Sequence, residues 1–165
     1  MRTRSLRGII YLAGGLGLLV AIFAAAEFYT ASLRSVCSIS QFFSCSTVDQ
    51  SGKTTTLGIQ DYVWGVGGFV LLLIVAGVAE RLPRDLRPAY ALAFFSTGAV
   101  ALSGYFIYVQ LAEIHALCVV CVTAEGFGAI VWVAALALAV RTRRKALGRS
   151  APARPPPAAK PKGSS

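Results

Sequence analysis

The sequence predicts an all-α integral membrane protein, a four-transmembrane-helix bundle with a cysteine-bearing cap loop on its outer side. Three observations lead there. The chain of 165 residues is 56% hydrophobic and only 14% charged, and its mean hydropathy of +0.66 is too high for a soluble domain to keep its surface wet. Four stretches each offer the roughly 20 largely apolar residues that a spanning helix needs. The basic residues behind the net charge of +9 gather in alternate segments between those stretches.

In chain order, helix one covers about Gly8 to Phe28. The run "MRTRSLR", then apolar residues, then "AAAE" also matches a signal peptide cleaved before Glu27. The run is longer than the usual apolar core of about 7 to 15 residues, which favours a retained helix. The segment from Tyr29 to Asp61 follows as the outer loop; it is too long for a plain connector, and such loops usually carry function. Helix two covers about Tyr62 to Ala79, helix three Pro88 to Tyr108, and helix four Ala116 to Val140. Residues 1–145 form one membrane domain. The remainder, 146–165, includes "SAPARPPPAAKPKGSS", a basic Pro/Ala-rich stretch with nothing to bury, expected to be a disordered cytoplasmic tail.

Charge sets the expected orientation. Arg2, Arg4 and Arg7 precede helix one; Arg81, Arg84 and Arg87 lie between helices two and three; Arg141, Arg143, Arg144 and Lys145 follow helix four. The other two connections hold only Arg34 and Lys53. By the positive-inside rule both termini are cytoplasmic and the protein is a multi-pass plasma-membrane protein. The same residues account for the basic pI as topology anchors, so nucleic acid is not an expected partner.

All four cysteines then fall at the outer face, where disulfides form and persist. Cys37 and Cys45 lie in "VCSISQFFSC" on the outer loop, where "QFF" can rest an apolar patch on the membrane surface. Cys118 and Cys121 form a Cys-x-x-Cys pair in "EIHALCVVCV" at the start of helix four. Helical spacing puts their Cα atoms about 5 to 5.5 Å apart, within reach of a disulfide. With the helix starting near Ala116, Cys118 occupies a first turn, whose free N–H groups and macrodipole favour the reactive thiolate. Cys121 lies a turn deeper, among apolar residues. Such a pair can take electrons from a water-side dithiol and give them to an oxidant dissolved in the bilayer, with the loop cysteines as relay. A zinc site needs four N or S ligands, and only His115 and the loop cysteines remain to complete one; no metal is expected.

Glu125 follows Cys121 by four residues and shares its helix face. An intramembrane carboxyl is a functional candidate by default. Kept protonated by apolar surroundings, it can donate a hydrogen bond; the alternative is an interhelical bond to Ser96, Ser103 or Tyr105. His115 is either a base for Cys118 or a solvated loop-end residue. The glycines at 14, 15, 17, 65, 67 and 68 read as helix-packing positions.

Taken in order, "CSISQFFSC" after helix one, "CSTVDQS" following it, "GIQDYVWG" opening helix two, and "YFIYVQLAEIHALCVVC" running from helix three into helix four give a chain that resembles the vitamin K epoxide reductase family, in its microbial disulfide-forming branch. The resemblance spans roughly Gly8 to Val140. It implies a four-helix bundle holding a quinone of the ubiquinone, menaquinone or vitamin K type, capped by an outer segment that includes a short surface helix. Cys118 and Cys121 become the redox centre, Cys121 nearest the quinone; Cys45 exchanges with Cys118, and Cys37 meets the partner. Many microbial relatives carry a fused thioredoxin-like domain after helix four, whereas this chain does not. Its expected partners are a separate exported thioredoxin-like protein, the membrane quinone pool and the lipid bilayer. Glu125 and Asp61 match the positions of hydrogen-bond donors to the quinone carbonyls, where animal relatives have a tyrosine and an asparagine, and Trp64 can stack on the ring or anchor at the interface. The expected activity is quinone-dependent thiol-disulfide oxidation. The alternatives are a structural four-helix protein with inert disulfides, and quinone or quinone-epoxide reduction as in animal relatives. The other quinone-coupled disulfide-generating family keeps its Cys-x-x-Cys in the first outer loop, an order this chain does not have.

Overall fold

The computed structural model describes residues 3–30, 40, 42–82 and 85–150. Helix α1 (Thr3–Tyr29) leads to a cap made of the short helix α2 (Cys45–Gln50) and a two-stranded hairpin, β1 (Thr55–Thr56) and β2 (Ile59–Gln60). Helices α3 (Asp61–Arg81) and α4 (Arg87–Val109) follow; α4 runs into a π-helical turn at Gln110–Ile114, and α5 (Val119–Ser150) completes the described chain. The four long helices are each long and apolar enough to span a membrane. The chain is an integral membrane four-helix bundle, as its hydropathy predicts.

The helices close a ring in which α1 packs on α3 and α5, and α4 packs on the same two from the other side. Sorting of side chains is inverted relative to a soluble bundle. Large apolar residues point outward, among them Leu12, Leu19, Phe94 and Val133, which are 60% or more exposed. Inside, small residues let backbones approach, since lipid tails provide no drive to bury leucine. At Gly14 an added Cβ would lie 2.9 Å from Leu73 Cδ2, and at Gly17 it would collide with the ring of Phe69. These two glycines are therefore packing requirements. No neighbour lies within 4 Å of a Cβ at Gly15, Gly67 or Gly68, and only Ala21 lies near one at Gly65, so that part of the expectation is not met.

One half of the bundle is solid. Leu6, Ile10, Ala13, Leu72, Ala76, Leu92, Val131, Ala135 and Leu138 form a continuous buried cluster. Polar contacts bind this half together: Tyr11 Oη donates to Glu80 Oε2 at 2.9 Å, and Trp132 Nε1 donates to Thr97 Oγ1 at 2.9 Å. The other half opens into a cavity beneath the cap.

The cap is held by local chemistry. Ser44 caps α2, its Oγ accepting the Thr47 N–H at 3.3 Å, and Ser51 Oγ closes the far end on Val48 O at 2.7 Å. Hairpin register pairs Thr55 with Gln60 and Thr56 with Ile59. Its two turn residues, Leu57 and Gly58, have φ of 56° and 77°, the positive values that a tight hairpin demands. Lys53 reaches Glu113 Oε2 at 3.5 Å, tying cap to π-turn through a half-exposed ion pair that contributes at most about 1 kcal/mol.

Candidate redox site

The site is built where α4 ends and α5 begins. Below the cap α4 widens into the π-turn, a departure from α geometry that is frequent at functional sites. His115 then reverses the chain with a left-handed φ of 56°. Gln110 organises this reversal. Its backbone carbonyl accepts the His115 N–H and, at 3.2 Å, the Ala116 N–H. Ala116 and Leu117 run extended and pair with the cap: Leu117 N–H donates to Phe42 O at 2.7 Å, and Ser44 N–H donates to Leu117 O at 3.1 Å.

That short parallel bridge fixes the cysteines. Cys45, one residue beyond Ser44, is 1% exposed, and Cys118, one residue beyond Leu117, is 2% exposed; with Val48 and Ala116 they form one buried cluster, and Cys121 packs at its edge. Cys45 is engaged in a disulfide, whereas Cys118 and Cys121 are free thiols. Cys37 lies outside the described residues.

Helix α5 begins at Val119, so Cys118 is its cap and not a first-turn residue, correcting the helix start expected near Ala116. The physical reason is the bridge: Ala116 and Leu117 give their backbone groups to the cap. Cys118 Sγ accepts the Cys121 N–H at 3.2 Å, and its carbonyl accepts the Val122 N–H at 3.0 Å. Sulfur here does the work that serine or aspartate oxygen does at most helix starts. The Cys118 N–H is itself satisfied by Gln110 Oε1 at 2.8 Å.

Cys121 faces the second half of the site, a cavity of about 110 Å³ inside the bundle. Asp61, Trp64 and Glu125 line it together with Cys121, as do Tyr62 and Ser103. Much of the remaining wall is alanine and glycine from α1, α3 and α5, with Phe69, Leu72 and Phe106 adding bulk. Asp61 Oδ1 accepts the Tyr62 N–H at 2.7 Å at the start of α3, and Trp64 Nε1 donates to Thr56 O at 3.4 Å, binding the cavity wall to the hairpin. Among the described residues Glu125 Oε2 is buried without a hydrogen-bond partner, and no bond to Ser96, Ser103 or Tyr105 forms. Ser96 turns instead to its own helix, donating to Ala93 O at 3.1 Å.

The sequence-predicted residues thus fall into two adjoining groups that meet at Cys121. Cys45 and Cys118 lie on the cap side, and Asp61, Trp64 and Glu125 on the cavity side. His115 is exposed, while Cys118 is buried. Sequence reasoning missed Gln110, which is fully buried; its signal was a lone amide in the otherwise apolar "YFIYVQLA". Among the described residues no three His, Cys, Asp or Glu side chains approach closely enough to hold a metal ion. The arrangement can carry out thiol-disulfide exchange between cap and bundle, and can present one thiol to a lipid-soluble molecule in the cavity.

Comparison with known proteins gives one result on the family and one on individual proteins. The model of the vitamin K epoxide reductase family matches residues 8–144. No individual curated protein matches the chain.

Proposed function

Because the chain belongs to the vitamin K epoxide reductase family, and is thereby an integral membrane oxidoreductase from a family that uses quinone-type electron carriers, we propose that it makes disulfides de novo. An exported thioredoxin-like protein, reduced by the substrates it oxidises, gives its electrons to a Cys37–Cys45 disulfide. They pass by exchange to Cys118 and Cys121 and leave to a quinone of the bilayer. In this reading the chain is of the microbial type with a separate partner. Its cap faces outward and its arginine-rich ends face the cytoplasm.

The observation that carries the reading is the bridge of Phe42–Ser44 to Leu117. It brings a disulfide-bonded cap cysteine and a free bundle cysteine into one buried cluster, next to a second thiol that lines an apolar cavity.

Residues of that cavity fit a quinone headgroup. A flat ring needs smooth walls, which Ala24, Gly65, Gly68 and Ala124 provide, and its carbonyl oxygens need donors. The orphaned Glu125 Oε2, if protonated, is such a donor, and Asp61 lies on the same cavity. Trp64 offers a ring to stack on. A quinone bound there supplies a two-electron sink. The protein's own residues do the rest: Cys121 presents its sulfur to the cavity, Glu125 and Asp61 hold protons at the carbonyl positions, and the cap keeps water from the thiols.

The test is direct. Purified protein in detergent, given a reduced thioredoxin-like protein or a dithiol, should reduce quinone stoichiometrically by absorbance, and Cys121→Ala should abolish the change. Absence of quinone reduction by wild type, with its disulfides persisting in mild reductant, would turn the reading toward a structural membrane protein.

A further inference from the structure

Gln110 is fully buried, yet only half of its amide is used. Oε1 accepts the Cys118 N–H at 2.8 Å, while Nε2 is buried without a hydrogen-bond partner among the described residues. Buried polar atoms are nearly always satisfied, and an exception asks for an explanation. The backbone of the same residue closes the turn on His115 and Ala116, and the side chain is held inside by its bond to the Cys118 N–H. Its amide lies against Cys118, which belongs to a buried apolar cluster with Cys45, Val48 and Ala116.

We propose that Gln110 is a positioning residue for exchange at Cys118: its amide oxygen fixes the cysteine's backbone, and its amide nitrogen donates to Sγ whenever that sulfur bears negative charge. The inference rests on the exchange reading above. When the Cys45–Cys118 mixed disulfide is resolved, an attacking thiolate, Cys37 in that reading, forms a bond to Cys45 Sγ. The Cys45–Cys118 bond breaks, and its electron pair leaves on Cys118 Sγ. The Cys121 N–H, 3.2 Å from that sulfur, is one donor to the leaving thiolate. Gln110 Nε2 supplies the second. Donors to the leaving sulfur in a water-excluded site stabilise developing charge in the way an oxyanion hole does. In the structure, where Cys118 and Cys121 are free thiols, Cys118 Sγ accepts the Cys121 N–H and takes no bond from Gln110 Nε2; the second donor engages once that sulfur turns toward it on leaving Cys45.

Gln110→Glu in the full-length protein tests this. The substitution keeps the oxygen that holds the Cys118 N–H and, when ionised, removes the donors; Gln110→Met, which removes the donors without adding a charge, must slow the decay as well. Oxidised protein is mixed with one equivalent of a small dithiol, quenched in acid and alkylated, and the Cys45–Cys118 cross-linked peptide is followed by mass spectrometry. In Gln110→Glu the cross-link should persist about tenfold longer or more than in wild type, at the scale set by loss of one such donor, with the melting temperature retained. Cross-link decay at the wild-type rate in a folded Gln110→Glu overturns the inference. If the variant does not fold, the wild-type protein answers by NMR with ¹⁵N-glutamine. The Gln110 side-chain amide signal should move between oxidised and reduced protein and stay still in Cys118→Ser. A signal indifferent to the Cys118 redox state overturns the proposal. Wild type that forms no Cys45–Cys118 cross-link and reduces no quinone sinks the proposed function and this inference with it; normal wild-type behaviour with an unaffected Gln110→Glu sinks only the role of Gln110.

Discussion

Gly17→Ala adds one methyl group where α1 crosses α3. In an ordinary helix this change stabilises by up to about 1 kcal/mol, because alanine restricts the unfolded chain. Here the new Cβ would overlap the ring of Phe69 and approach Phe127 Cβ to 3.1 Å. Phe69 is 7% exposed and forms part of the cavity wall, so it has no free space behind it except the cavity. Overpacking of this kind costs about 1 to 3 kcal/mol. Set against the full propensity gain, the net loss is up to about 2 kcal/mol, or up to about 8 °C in Tm for a chain of this size. Strain relieved by moving the ring into the cavity appears instead as a raised quinone KM. Thermal unfolding in detergent and quinone-reduction kinetics measure the two outlets separately. Gly15→Ala, with nothing within 4 Å of its Cβ, serves as the control and should be neutral or stabilising. Phe69→Leu in the Gly17→Ala background should restore both quantities. A Gly17→Ala protein that melts at or above wild type with an unchanged KM would refute the packing argument.

Cys45→Ser should block electron entry from a thioredoxin-like protein while a small dithiol that reduces Cys118–Cys121 directly still drives quinone reduction; parallel assays with the two donors separate the steps, and loss of both activities would give the cap a different task. Glu125→Leu removes the unpaired donor from the cavity and should raise quinone KM about tenfold, the scale of one hydrogen bond of about 1.5 kcal/mol, whereas Glu125→Gln keeps a donor and should stay within a few-fold of wild type. Equal KM values for the two variants would show that Glu125 does not bond the carbonyl.

The four spans were legible because a bilayer imposes one simple demand, an apolar run long enough to cross it, and Gly8–Phe28 and its three counterparts meet it. The ends were less so. Helix α1 begins at Thr3 and α5 continues to Ser150, since arginine-rich segments form good helix and hydropathy cannot register where a helix leaves the membrane. The start of α5 was misplaced for a tertiary reason, the pairing of Leu117 with the cap. The hairpin at Thr55–Gln60 carries no Asn-Gly or Asp-Gly signal; Leu57 accepts a positive φ that its side chain disfavours. Within the site, Glu125 could be found by spacing, because Cys121 and Glu125 share a helix. Asp61 and Trp64 required the family resemblance, as their approach to Cys121 depends on how α3 lies against α5.

The solid half of the bundle has a consequence for energy conservation. A membrane that stores an electrochemical gradient cannot tolerate a water-lined conduit, and a protein hollowed to receive a lipid-soluble oxidant is at risk of becoming one. Ile10, Ala13, Leu72, Val131 and Ala135 form a continuous apolar plug in the interior beside the cavity. In the proposed function, such a plug lets the bundle exchange electrons at one surface while it insulates across its thickness.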